Sequence, residues 1–352
     1  MDGSKARARA QTQTREYAAY RIRRGAGIDG LARVMRAQAT LGPHDVRVRM
    51  RAVALNYRDL MIARGDSGVP DLDVVPASDG AGEVVETGSE VTSVRIGDRV
   101  MGAFFPDWRE GTPETTATAR ALGGSTDGVL AEEVVMHENA WVAMPEHLDF
   151  VEAATIPCAV VTAWNALFVA APAKPGDSVL LLGTGGVSIS ALQLAKAAGL
   201  RVLITSSDDA KLDRAVALGA DATINYRRTP EWQNEVLRLT GGRGADRVLD
   251  IGGPDTLPRS IAAAKTGGTI AVIGRLTGTA GVAIDPAALF GGHKRLVGVM
   301  VGSRAMTDDV ARFMALAGIR PVIDRMFDFD HVRDAYAYFE TAQHFGKIVI
   351  RL

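Results

Sequence analysis

From Ser178 to Val301 the sequence alternates short apolar runs with stretches of helical spacing, and few chain courses satisfy that pattern. Strands are predicted at Ser178–Gly183, Arg201–Thr205, Ala222–Tyr226, Arg247–Ile251, Thr269–Ile273 and Leu296–Val301. Helices are predicted at Val187–Ala198, Ala210–Leu218, Glu231–Leu239 and Thr256–Lys265. The first run, Ser178-Val179-Leu180-Leu181-Leu182-Gly183, is apolar without alternation, as a strand covered on both faces requires. Short strands separated by helices of about 10 residues give a parallel sheet with helices on both faces, an α/β doubly wound class.

The turn after the first strand narrows the function. Gly183-Thr184-Gly185-Gly186-Val187-Ser188 sits between strand and helix. Gly183 lets the chain turn sharply, Gly185 lets backbone approach a diphosphate, and Ser188 is small where helix packs on strand. Free N–H groups and the positive end of the helix dipole then favour an anion, so Gly183 to Val187 are predicted to hold a dinucleotide. The second strand ends in Ser206-Ser207, where a carboxylate would select a free ribose 2′-hydroxyl. Asp208 and Asp209 come slightly late and suit a helix cap. Two hydroxyls followed by Lys211 suit a 2′-phosphate, with Tyr226 and the charges of Arg227 and Arg228 nearby. The predicted coenzyme is NADPH. Gly274, Gly302 and Ser303, at carboxyl ends of later strands, are further candidates for contacting it.

Residues 16 to about 150 read differently: short Val-rich runs such as Asp45–Leu55, Gly82–Val85 and Leu130–Val135, cut by Gly42-Pro43, Gly88-Ser89 and Gly97-Asp98. They predict an antiparallel barrel or sandwich. Glu110–Gly128 is expected to be a flexible surface loop, and Leu148–Phe168 a helical region broken at Pro157. Asp308–Ala317 reads as a helix, and the closing run Lys347–Leu352 as a strand returning to the N-terminal β domain.

Composition excludes other classes. A length of 352 residues suits two domains. The 40 basic and 41 acidic residues nearly cancel, against a broad basic face for nucleic acid or anionic lipid. No run of 18 apolar residues predicts a membrane span. The single cysteine, Cys158, rules out an intrachain disulfide and fits a reducing compartment, so a cytoplasmic location is expected. Residues 1–15 are basic and polar and are expected to be a disordered, solvated tail. There is no Tyr-x-x-x-Lys pair, no Gly-x-Ser-x-Gly elbow and no Walker loop.

Seven ordered blocks carry a family resemblance: Ala54-Leu55-Asn56-Tyr57-Arg58-Asp59-Leu60, Pro76 to Gly82, Gly97-Asp98-Arg99-Val100, Cys158 to Ala163, the glycine turn, Ala217 to Asp221, and Gly346-Lys347-Ile348-Val349. Together they resemble the medium-chain dehydrogenase/reductase superfamily, in its zinc-independent alcohol dehydrogenase and quinone oxidoreductase branch, over nearly the whole chain. The resemblance implies a GroES-like catalytic domain (16–150 and 304–352), a Rossmann domain (151–303), a cleft between them, and a homodimer joined through the Rossmann sheet edge. It implies an oxidoreductase moving hydride between NADPH and a small carbonyl, alcohol or quinone. Reduction of an activated C=C bond, or coenzyme binding without turnover, are the alternatives.

In zinc-dependent members of that superfamily the metal-ligand positions correspond to Asn56, to Ser78 of Ala77-Ser78-Asp79, and to Cys158. An amide and a hydroxyl are not usual zinc ligands, so no zinc is expected and Cys158 is expected to be a small buried residue. Asn56 is assigned to a substrate carbonyl or the nicotinamide ribose, and Thr162 to the nicotinamide. Tyr57 is a donor or orienting hydroxyl, or else a packed aromatic. Arg58 stands at the proton-relay position, and Asp59 is expected to bond neighbouring backbone or Arg58. The Tyr that can donate a proton in enoyl reductases has no counterpart in Ala63–Gly68, and Asp66-Ser67-Gly68 reads as a turn. Phe290 and His293 either line the cleft or pack elsewhere.

Overall fold

The computed structural model describes residues 15–23, 25–66 and 73–352. The predicted tail up to residue 14 and the Ser67-Gly68 part of the predicted turn lie outside the described residues.

Two sheets organise the chain. In the first half the strands are β1 (Glu16–Ile22), β2 (Leu31–Ala37), β3 (Asp45–Ala54), β4 (Asp79–Thr87), β5 (Arg99–Gly102), β6 (Glu133–His137) and β7 (Trp141–Ala143). Then follow β8 (Ser178–Leu181), β9 (Arg201–Ser206), β10 (Ala222–Asn225), β11 (Ala245–Asp250), β12 (Ala264–Val272) and β13 (Arg295–Gly298), and lastly β14 (Ile323–Asp328) and β15 (Lys347–Arg351). Strands β8 to β13 form one sheet in the order β10-β9-β8-β11-β12-β13, every pair parallel. This is the doubly wound Rossmann order, with the direction of winding changing at β8. Each strand extends within two residues of its predicted span except β13, which ends at Gly298, and β12, which begins at Ala264. There the preceding helix stops at Ala263, because Gly267 and Gly268 cannot prolong it and the backbone straightens early.

The other large sheet runs β14-β15-β3-β4-β5-β7, with β6 also on β3, and is the GroES-like part. Its last strand returns as predicted: Val349, Ile350 and Arg351 of β15 pair antiparallel with Ala54, Val53 and Ala52 of β3. Strands β1 and β2 form a separate hairpin.

The region 148–169 is helical but irregular. Short α-turns at Phe150–Ala153 and Val161–Trp164 alternate with π-turns at Ile156–Val160 and Asn165–Val169. Pro157 lacks the N–H for an α-bond, and the wider turn absorbs the defect. The predicted loop 110–128 is exposed as far as residue 116 but carries a short helix, Thr115–Thr118, and buries Leu122, Gly123 and Gly124. Elements not anticipated include the helix Tyr57–Arg64, the short helix Pro286–Phe290, strand β14 and the helix Val332–Glu340.

One apolar core joins the halves. Ala52, Met101, Phe104, Phe105 and Trp108 from the first share a cluster with Ile156, Val161, Leu181, Ile189 and Phe345. Burying each of the larger side chains contributes roughly 1.5–3 kcal/mol, so the two halves are held firmly together.

Candidate active site

The glycine turn is built as its residue types require. Gly183 has φ 73°, a left-handed conformation open to glycine, and donates its N–H to Thr205 Oγ1 at 3.3 Å. Buried Ser188 donates its hydroxyl to the Leu182 carbonyl at 2.6 Å, tying the helix Gly186–Ala197 to the strand below. Gly185 is the N-cap and offers no side chain, so the helix opens with backbone N–H groups of Gly186, Val187 and Ser188 facing an uncapped end. The far side of the turn is fixed by the C-terminal segment. Gly346 donates its N–H to the Thr184 carbonyl at 3.0 Å, and Gly185 and Gly346 form an isolated parallel bridge.

At the tip of β9, Ser206 is buried and its hydroxyl accepts the Asp208 N–H at 3.4 Å, while Ser207 is half-buried. Asp208 caps the next helix by accepting the Lys211 N–H at 3.1 Å, and Asp209 pairs with Arg228. Lys211 reaches across to the Ala342 carbonyl at 3.0 Å, and Tyr226 follows β10 in a half-exposed setting. A Cβ on Gly274 would lie 2.5 Å from the Ile251 carbonyl, and one on Gly302 would lie 2.7 Å from Val161 Cγ1. Ser303 is occupied as a helix cap, its hydroxyl accepting the Met306 N–H at 3.2 Å. Thr162 is buried in its short helical turn.

Facing this surface is a closed ring of four buried side chains. Lys347 Nζ donates to Asn56 Oδ1 at 2.6 Å. Asn56 Nδ2 donates to Ser78 Oγ at 3.4 Å, and Ser78 donates to Asp79 Oδ1 at 2.7 Å. Asp79 Oδ2 closes the ring 3.7 Å from Lys347 Nζ and also accepts the Cys158 N–H at 3.1 Å. The donors all run one way and end on the carboxylate, which fixes the orientation of the Asn56 amide. Burial pushes the Asp79 acid up while the Lys347 ammonium pulls it down. Burial, then the Asp79 charge, pushes the Cys158 thiol well up and keeps it protonated.

Around the ring, Asp59 accepts the Asn56 N–H at 2.8 Å and starts the helix Tyr57–Arg64, in keeping with the backbone role expected of it. Tyr57 is half-buried against the apolar core. Arg58 points its guanidinium at the Leu122 carbonyl, 2.6 Å away, and lies 4.8 Å over the Phe104 ring. Its charge is thus engaged in holding the 121–124 segment. Phe290 stands largely exposed beside β13, and Trp108 is buried in the core. Sequence reasoning did not give Lys347 a role, and no local signal sets it apart from Arg351 at the other end of the same strand.

A family model described as "Alcohol dehydrogenase GroES-like domain" matches residues 42–146, and one described as "Zinc-binding dehydrogenase" matches residues 186–316. A zinc-type alcohol dehydrogenase-like protein of Schizosaccharomyces pombe is 43% identical over 319 residues, covering 89% of this chain and 92% of its own length. A crystal structure of a putative alcohol dehydrogenase from Sinorhizobium meliloti superposes with TM-score 0.89 at 40% identity, over 97% of this chain and all of that one. A structure described as an NAD-dependent alcohol dehydrogenase follows at TM-score 0.86 and 33% identity, over 95% of this chain and 99% of that one.

Proposed function

The chain belongs to the medium-chain dehydrogenase/reductase superfamily and is an NAD(P)-dependent oxidoreductase, and from that premise we propose that it uses NADPH to reduce a small carbonyl or quinone without a zinc ion. The observation that carries this reading is one of placement. The Lys347 stem, running from the ring to β15, passes over the first residue of the coenzyme helix: a Cβ on Gly186 would lie 2.7 Å from Lys347 Cδ. A dinucleotide on the glycine turn would thus lie next to the ring, which supports a role for Asn56 at its reactive end.

A bound nicotinamide coenzyme supplies the hydride. The protein's own groups do the remaining work. The backbone N–H groups of the helix start take the diphosphate, and Ser206, Ser207 and Lys211 supply two hydroxyls and a cation for a 2′-phosphate. That pair of hydroxyls with a lysine at the β9 tip supports NADPH, even though one solved relative is described as NAD-dependent. Gly274 and Gly302 leave backbone close to the nicotinamide path, Thr162 bounds it, and Tyr57 flanks the substrate.

The residues at the metal-ligand positions, Asn56, Ser78 and Cys158, do not suit a zinc ion. They present an amide, a hydroxyl and a thiol held protonated, with the Lys347 ammonium 2.6 Å from the amide oxygen. Among the described residues no group of three or more His, Cys, Asp or Glu side chains could hold a metal. Among those residues no helix is long and apolar enough to cross a membrane.

The test is NADPH oxidation with a panel of benzaldehyde, a benzoquinone and an enone, repeated with NADH. Turnover of aldehyde or quinone with a KM for NADPH at least tenfold below that for NADH is expected. Turnover confined to the enone would transfer the assignment to C=C reduction. NADPH binding without turnover of any member would make the chain a silent coenzyme binder.

A further inference from the structure

A lysine is a costly residue to bury, and Lys347 is only 4% exposed. Acceptors and a counter-charge surround it: Asp79 is fully buried 3.7 Å away, and the Leu55 carbonyl and Asn56 Oδ1 accept its hydrogen bonds at 2.8 and 2.6 Å. An ammonium has three N–H donors. Two are taken, and Asp79 is beyond hydrogen-bond reach, so the third has no acceptor among the described residues. The Asn56 amide, by contrast, is spent inside the ring, on Ser78 and on the Asp79 carboxylate. One unspent donor, a cationic one, thus sits in the ring.

We propose that Lys347 is a catalytic residue: its ammonium, held in place by Asn56, holds the substrate oxygen on which negative charge develops during hydride transfer. This inference rests on the carbonyl-reductase reading above. It assigns to a side chain the fixed positive charge that a metal ion could otherwise provide. Preorganised donors in a dry site act strongly at such an oxygen because they need no reorientation when the charge appears. The ring supplies that preorganisation. Asn56, Ser78 and Asp79 hold each other in one polarity, and the Lys347 stem is confined between β15 and Gly186.

The experiment compares the parent with Lys347→Met and Lys347→Arg. It measures kcat with NADPH and benzaldehyde, NADPH affinity by nicotinamide fluorescence, and benzoate binding to the NADP+-loaded protein by calorimetry. Lys347→Met is expected to lower kcat about 100-fold or more. It should leave NADPH affinity within threefold and weaken benzoate at least tenfold. Lys347→Arg, which keeps the charge, is expected to retain a tenth or more of kcat. A folded Lys347→Met with parental kcat and benzoate affinity overturns the proposal. So does a kcat loss matched by lost NADPH affinity, which would make Lys347 a coenzyme ligand. If Lys347→Met does not fold, Lys347→Arg decides, and a kcat below a hundredth of parent overturns the role of charge. Should the parent reduce no aldehyde, the functional reading fails; benzoate binding then tests the charge alone, and equal affinity in parent and variants overturns it.

Discussion

Asp59 sits beneath Asn56 with one carboxylate oxygen accepting a backbone N–H and the other buried without a partner. Burial raises its acid from 3.8 to about 6, so between those values the folded chain keeps a proton that the unfolded chain has released. Stability contributed by that proton is lost as pH rises through the window, by about 3 kcal/mol in all at ~1.4 kcal/mol per unit. Asp59→Asn cannot titrate, so its stability relative to the parent should improve by about that amount between pH 4 and pH 7. Denaturant titrations of both proteins at the two pH values read this directly; parallel pH dependences would refute it. At this scale the sequence was partly readable. The glycines of the turn announce themselves because only they permit its backbone, and Ser206-Ser207 because a carboxylate is missing there. Lys347 was hidden. Nothing local distinguishes a buried lysine from a solvated one, and its partners Leu55, Asn56 and Asp79 are hundreds of residues away in sequence.

Among elements, the joint between the coenzyme turn and β15 is the most constrained. Gly346 has φ 81°, and a Cβ there would lie 2.5 Å from the Val322 carbonyl. Gly346→Ala is expected to cost about 1–3 kcal/mol through strain. Because the same residue holds Thr184, it should also weaken NADPH binding severalfold. A thermal melt and a fluorescence titration check the two effects, and an unchanged melting temperature would show that the joint yields freely. The parallel sheet was legible because each of its strands is a continuous apolar run between helical repeats. The helix Tyr57–Arg64 was not, although Asn56 and Asp59 stand at its cap and third positions, a recognisable start signal. Strand β14 gives little pattern of its own: it lies at a sheet edge, with Arg325 and Met326 exposed.

For the molecule as a whole, β13 leaves one edge of the six-stranded sheet unpaired. Phe290, 72% exposed, and Met300, 53% exposed, flank that edge. Open edges with apolar neighbours favour pairing, which supports a homodimer through this strand. Light scattering should give twice the chain mass, and Phe290→Asp with Met300→Asp should give a folded monomer at the same concentration. A parent that runs as a monomer would remove the idea.

The return of β15 to β3 also bears on how the protein is made. Strand β3 is translated well before the residues that close its edge, which follow only after the whole parallel sheet has been made. Until then the N-terminal sheet waits with backbone donors and acceptors unmatched, a state prone to aggregation. Any chaperone serving this chain would have a long task at that waiting edge, and the arrival of β15 would end it.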